Sequence, residues 1–487
     1  MSENTVIVWF RQELRVQDYD PLFWAASLGR VVPVFILSVE EHQRLSGTAS
    51  GWWLHESLKE LSAALGRLGA PLFLRQGEPG EVLEELAAGI GAREIYTSRS
   101  YEPDSQRMED ELTQRLGAIQ LEVVWFHNRL LFEPGTIVNG AGEPYRVFTA
   151  FHRRLAQEQV YPPLPPPTAL APSPVQGDSL SLEELGLLKG PNWYGKLAAH
   201  WQPGEQGALR QLEEFAGEHV TGYAEGRDYP DSGCTSRLSP YLAWGNVSAR
   251  RVWHVLREAG EALSSGIGRS GGADGCEADT GAFLRQLVWR EFAYDQLVHF
   301  PHMVDMPMRK AYAAFPWADD PQALARWKAG QTGYPLVDAG MRELWETGMM
   351  HNRVRMVAAS FLVKHLLLPW TEGAAWFRQT LVDADTANNA MGWQWVTGSG
   401  FDAAPYFRIF NPSAQSRRFD PEGSYIRRWI PELRQLPDAL IHEPWKAASG
   451  VLDQCGLAPD SPYRKPVVDH AFARERALEA YRIMNTQ

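Results

Sequence analysis

Residues 383–395, DADTANNAMGWQW, set Asp383, Asp385, Asn388, Asn389, Trp393 and Trp395 among small residues. Asp, Asn and Trp are not strong helix formers, so propensity alone does not explain the cluster. Two carboxylates two positions apart can bind a metal, cap a helix or face a cofactor. An amide such as that of Asn389 both donates and accepts a hydrogen bond and carries no charge. A second stretch, Thr235–Ser239 (TSRLS), puts hydroxyls and an arginine ahead of PYLAWGNVS. That pattern fits an ordinary helix cap, and it also fits a phosphate held by backbone N–H groups and hydroxyls. In MHNRVRM (350–356), His351 stands alone and is read as a hydrogen-bonded helix histidine.

Something must position these groups. From residue 5 to about 130, short β-branched runs (Val6–Phe10, Val31–Leu37, Leu72–Leu74, Glu94–Thr97, Leu121–Trp125) alternate with helical patterns. Leu54, Leu58, Leu61, Leu65 and Leu68 recur at spacings of three and four, which is one helix face. Strand–helix alternation predicts a Rossmann-like α/β domain with a parallel sheet. No dinucleotide glycine motif follows the first strand. GIGRSG, inside SSGIGRSGGADG (264–275), matches that motif in letters only, because no strand precedes it; it is read as a Gly/Ser-rich loop. The proline-rich YPPLPPPTALAPSPVQGDS (161–179) predicts an extended connector, since proline neither continues a helix nor donates to a ladder. From about 205 to 485 the periodicity is almost entirely helical. The expected domains are therefore 1–132 (α/β), 133–204 (connector) and 205–487 (a large all-α domain).

Composition narrows the class. The 487 residues are 44% hydrophobic and 22% charged, ordinary for a globular chain. No run of about 18 apolar residues predicts a membrane span, and MSENTVIVWF has no signal-peptide pattern. Three scattered cysteines argue against a disulfide framework and suit a cytoplasmic, reducing compartment. The formal net charge is −12, so nucleic-acid binding would need a local basic patch. Aromatic content stands out, with 19 Trp, 16 Tyr and 20 Phe.

In chain order, VIVWFRQELRVQD, TSRLSPYLAWGNVS, LVWREF, WKAGQTGYPLVDAGMREL, MHNRVRM and GWQW…DAAPYFRIFNP together resemble the DNA photolyase/cryptochrome family, and most of all its microbial cyclobutane pyrimidine dimer photolyases. The resemblance implies an α/β antenna domain, a helical domain holding FAD, and light-driven repair of ultraviolet-damaged DNA by a monomer. It gives Tyr223, Thr235, Ser236, Arg237, Leu238, Ser239, Arg355, Asp383, Ala384, Asp385 and Asn389 to the cofactor, with Asp383 paired to Arg355 and Asn389 beside flavin N5. It makes Trp393, Trp370 and Trp317 an electron-transfer chain, and Trp289 and Trp395 aromatic walls for a flipped lesion. Arg227, Gln286, Arg290, Asn352, Met356 and Gln415 complete the DNA and lesion contacts. A rim of Arg290, Arg353, Arg355, Arg417, Arg418, Arg427 and Arg428 supplies the basic patch.

Asn352 and Met356 match the cyclobutane-dimer enzymes, whereas (6–4) photolyases usually carry a His-His pair in this stretch. Gln286 departs from the glutamate common in cyclobutane-dimer enzymes and keeps the (6–4) alternative open. A cryptochrome photoreceptor without repair is the other alternative; Asn389 and the Trp289/Trp395 pair count against it. No metal is expected. An antenna chromophore, folate or deazaflavin, would fall to the region of residues 98–110, and the sequence does not choose between them.

Overall fold

A computed structural model describes residues 4–171, 179–264 and 273–486. The GIGRSG run, the rest of the proline-rich stretch (172–178) and the side chain of Cys276 lie outside the described residues.

Five parallel strands form one sheet in the order β3-β2-β1-β4-β5. They are β1 (Asn4–Phe10), β2 (Gly29–Leu37), β3 (Phe73–Gln76), β4 (Glu94–Ser98) and β5 (Glu122–Phe126). The two central strands are nearly continuous apolar runs, VIVWF and VVPVFIL, and both are buried on both faces. Helices covering each face of a parallel sheet demand that pattern. The helix Ala49–Leu68 starts at Thr48, whose side chain accepts the Gly51 N–H, and ends at Gly69 with φ 98°. Its Leu54, Leu58, Leu61 and Leu65 are buried, as their spacing predicts.

The chain forms two compact units: Met1–Thr221 with Ser236–Pro301, and Gly222–Thr235 with His302–Gln487. The first unit thus takes in helices that the sequence reading grouped with the all-α part. Buried polar groups explain why. Asn246 donates to the Leu14 carbonyl at 3.2 Å and accepts from the Trp53 indole at 2.9 Å. Glu205 accepts the Val16 and Gln17 N–H groups at 3.1 and 2.8 Å. Glu291 accepts those of Leu131 and Phe132 at 2.9 and 3.1 Å. Each bond would leave an unsatisfied buried group if the chain were cut at residue 132. Gly245, at φ 56°, permits one such approach, since a Cβ there would meet the Glu13 Cα at 2.6 Å. The described part of the proline-rich stretch is extended but tied down: Leu164 N–H donates to Asp18 at 2.7 Å and Leu170 N–H to the Leu68 carbonyl at 2.7 Å.

The second unit is helical. Its core gathers Trp327, Tyr334, Phe361, Trp370, Phe377 and Trp393, with Trp317 and Trp395 packed against it. Among the described residues no helix is long and apolar enough to cross a membrane, and no group of three or more His, Cys, Asp or Glu side chains could hold a metal ion.

Candidate active site

The DADTANNAMGWQW stretch is a helix after all, Thr386–Thr397, and its first carboxylates explain how. Asp385 sits in the N-cap position with extended backbone and accepts from the Asn388 N–H at 2.9 Å and its amide at 2.8 Å. A good cap offsets weak propensity in the residues that follow. Asp383 has a different partner. Arg355 Nη2 donates to both its oxygens, at 3.0 and 2.8 Å, while Arg355 Nε donates to the Met350 carbonyl at 2.7 Å. The carboxylate is nearly buried and the guanidinium is about one-quarter exposed, so the pair presents a fixed ionic edge. Ala384, between the two acids, packs against the helical core. One turn into the helix, Asn389 donates its amide to the Ala374 carbonyl at 3.1 Å. That bond orients the side chain and leaves Oδ1 as an uncharged acceptor.

Three indoles of this unit are buried to different depths. Trp393 is 2% exposed, Trp370 is 4% exposed at the start of helix Trp370–Thr380, and Trp317 is half-buried. Gly373 makes room for the first of them, since a Cβ there would stand 2.1 Å from the Trp393 ring. Gly373→Ala is therefore expected to destabilise the protein by about 1–3 kcal/mol, the usual cost of overpacking a filled core. Thermal unfolding checks this: an unchanged Tm would show that the Trp393 ring is not held where it stands.

The helix Asn352–Ser360 is capped by His351, whose Nδ1 accepts the Arg353 N–H at 3.2 Å. Burial pushes this imidazole down to about 4, so it is neutral at physiological pH. Asn352 is exposed and Met356, one turn on, is half-buried, so the two share a helix face. Tyr223 is buried beneath the Arg227 guanidinium at 5.4 Å. Trp395 is half-buried, and its carbonyl accepts the Ala404 N–H at 3.2 Å. Gln415 lies half-buried in helix Pro412–Phe419, which Asn411 caps.

The arginine rim is less free than the sequence suggests. Arg353 pairs with Asp228 at 2.6 Å, Arg427 with Asp438 at 2.6 Å, Arg428 with Asp231 at 2.5 Å, and Arg417 with Glu443. Arg418 is exposed and lies over the Phe419 ring.

Thr235 belongs to the second unit and Ser236–Ser239 to the first. Arg237 has φ 53°, an uncommon left-handed conformation for a residue with a Cβ. Its guanidinium donates to the His200 carbonyl at 3.0 Å and stacks over Trp201 at 4.3 Å. Leu238 is fully buried. The polar groups this stretch can offer an anion are thus hydroxyls and main-chain N–H groups rather than the arginine.

In the long helix Ala273–His299, Trp289 stacks face to face on Phe148, with centroids 3.5 Å apart and planes 5° apart, so one indole face is already covered. Gln286 donates to the Ala282 carbonyl of its own helix at 3.1 Å. Arg290 does not belong to a DNA-facing rim. It is buried and donates to the Arg129 and Leu242 carbonyls at 3.1 and 3.2 Å, so its charge is used inside the first unit.

Several of these partners have no sequence motif. Phe148, Asp228 and the Ala374 carbonyl are brought in by folding. Gly373 left a signal, because a glycine inside a helical pattern marks close approach.

The DNA photolyase family model matches residues 6–169, and that of the FAD binding domain of DNA photolyase matches residues 283–483. A deoxyribodipyrimidine photo-lyase of Agrobacterium fabrum is 43% identical over 479 residues, covering 98% of this chain and 97% of that protein. The chain belongs to the DNA photolyase/cryptochrome family. The crystal structure of a bacterial class III photolyase from Agrobacterium tumefaciens superposes with a TM-score of 0.94 at 42% identity, covering 100% of this chain and 99% of that one. Cryptochrome-1 of Arabidopsis thaliana is 37% identical, with 98% of this chain aligned to 70% of that protein. The family's α/β N-terminal part and helical FAD-binding part are thus both present here.

Proposed function

We propose that this chain is a deoxyribodipyrimidine photo-lyase, a carbon–carbon lyase that uses light to split cyclobutane pyrimidine dimers in ultraviolet-damaged DNA. The observation that carries the enzyme class is the end-to-end match to a deoxyribodipyrimidine photo-lyase. His351 supports the lesion type. The (6–4) enzymes usually carry a His-His pair in this stretch, whereas here His351 stands alone in MHNRVRM and its Nδ1 is occupied as a helix cap. Asn352 and Met356, on the face beside it, are then available to a cyclobutane dimer.

FAD fits the groups present. Asn389 supplies an uncharged acceptor oriented by Ala374, Arg355 fixes the Asp383 carboxylate through two hydrogen bonds, and the Thr235–Ser239 stretch carries hydroxyls and main-chain donors suited to a diphosphate. Tyr223 and Asp385 complete the holding set. Bound there and reduced, FAD would supply the light-driven one-electron chemistry that opens the dimer without net redox change. The chain's own residues do the rest. Trp393, Trp370 and Trp317 feed electrons inward in light. Trp289 and Trp395 stack against the flipped bases, while Arg227, Arg418 and Gln415 contact the strand. The protein acts as a cytoplasmic monomer in this reading, which its few scattered cysteines suit.

Gln286 tests the lesion contact. A donor aimed at a base that gains negative charge stabilises the charged state. Because its amide already bonds to Ala282, contact with a lesion exchanges one hydrogen bond for another. Gln286→Ala should thus lower lesion affinity and repair yield by roughly 0.5–1.5 kcal/mol, with FAD content unchanged. Gln286→Glu should keep or raise repair of cyclobutane dimers. Assays on separate cyclobutane and (6–4) substrates decide: activity confined to the (6–4) substrate would overturn the lesion assignment.

A further inference from the structure

The chain from residue 131 to 148 lies mostly in the stretch that composition reads as a connector, yet it is fastened along one helix. In Ala273–His299, Glu291 accepts the Leu131 and Phe132 N–H groups, Asp295 accepts that of Gly135 at 3.1 Å, and Gln296 donates to the Tyr145 carbonyl at 2.7 Å. The stretch so held ends at Phe148, the first residue of helix Phe148–Leu155, which is buried. Its ring lies flat on that of Trp289. All of these residues belong to the first unit. We propose that Phe148 is a positioning residue for lesion recognition, one that fixes the Trp289 indole in its binding orientation before DNA arrives. This inference rests on reading Trp289 as a wall of the lesion pocket.

The stack is imposed by its surroundings. Centroids 3.5 Å apart with planes 5° apart leave almost no offset between the rings. Two aromatic rings left to themselves prefer an offset or edge-on arrangement. Phe292 meets both members edge-on, 5.9 Å from each, at 72° to Phe148 and 74° to Trp289. The Arg285 guanidinium stands 5.2 Å from the centre of the Phe148 ring, close enough for the ring to attract the cation. Arg285 and Trp289 are four residues apart on one helix and Gln286 and Trp289 three apart, so the three share a side of it.

Trp289 is only half-buried, so without Phe148 its side-chain torsions would sample other rotamers. Lying on Phe148, the indole loses that freedom when the protein folds, and lesion binding does not have to remove it. Ordering one such side chain at the moment of binding weakens affinity by about two- to tenfold. Phe148 therefore acts on how tightly a lesion is held and not on the electron-transfer step that follows.

The test uses the FAD-loaded protein, titrated in the dark with an oligonucleotide holding one thymine cyclobutane dimer and with the same oligonucleotide intact. Phe148→Leu and the closer-fitting Phe148→Met should weaken lesion binding by about two- to tenfold. Binding to the intact oligonucleotide and the repair rate at saturating lesion should stay at wild-type values. Phe151→Leu is the control: Phe151 is buried in the same helix but packs on Phe292, at 5.2 Å. It should lower the Tm comparably and leave lesion affinity unchanged. Unchanged lesion affinity in the Phe148 variants, or an equal loss in Phe151→Leu, would overturn the proposal. So would a gain in affinity, which would mean that Phe148 occupies a face the lesion needs. Trp289→Ala tests the underlying reading separately and should weaken lesion binding at least as much as Phe148→Leu. If it binds the lesion as the wild type does, Trp289 is no wall, and the role of Phe148 falls with it.

Discussion

Trp393→Phe is expected to slow photoreduction of oxidised FAD by more than about tenfold, a barrier change of at least ~1.4 kcal/mol. Protein reduced chemically beforehand should lose far less of its repair rate. The reason is position and chemistry together. Trp393 is buried in the helical core, in the same helix as Asn389, and a phenyl ring fills most of its space but is much harder to oxidise than an indole. Trp370 and Trp317, progressively nearer the surface, would pass the oxidising equivalent outward. Photoreduction at the wild-type rate in this variant would show that electrons reach the cofactor by another route. Comparing light-driven bleaching of the oxidised flavin with single-turnover repair separates the two effects.

Breaking the Asp383–Arg355 pair from the acid side should have the next largest effect. In Asp383→Ala the Arg355 Nε still bonds to Met350, but Nη2 loses both its carboxylate contacts. Removing one partner of a fully buried pair costs about 3–5 kcal/mol, because the other charge is left uncompensated. Here the guanidinium is about one-quarter exposed, so water offsets part of that, and roughly 1–3 kcal/mol is expected. The variant should unfold at lower temperature and retain less FAD after gel filtration. Arg355→Ala, which strands a nearly buried carboxylate, should also lose FAD. If both variants keep full cofactor content, the pair is only structural and Asp383 does not face the flavin.

Much of the fold is written in local pattern. The apolar runs of β1 and β2 and the leucine spacing of helix Ala49–Leu68 each announce an element, because a buried parallel strand and a one-sided helix have different periods. The unit boundary does not show in composition. It depends on single buried bonds such as those of Asn246, Glu205 and Glu291, whose partners lie far away in the chain. The site is legible in the same uneven way. For Asp385 the sequence allows a cap, a metal ligand or a cofactor contact, and the Asn388 N–H makes it a cap. For the arginines, sequence supplies a count of charges and not their neighbours. Arg290 turns inward to two carbonyls, and Arg353, Arg417, Arg427 and Arg428 are matched by acids. That one face of Trp289 is covered follows from Phe148, which no motif links to it.

The most direct test of the central claim is repair itself. FAD-loaded protein, reduced chemically and mixed with an oligonucleotide holding one thymine cyclobutane dimer, is exposed to blue light, and restored thymines are counted by chromatography. The account predicts restoration in light, none in the dark, and no net consumption of reductant, since the electron returns after each cleavage. Light-independent restoration, or none with a fully loaded and reduced protein, would contradict it.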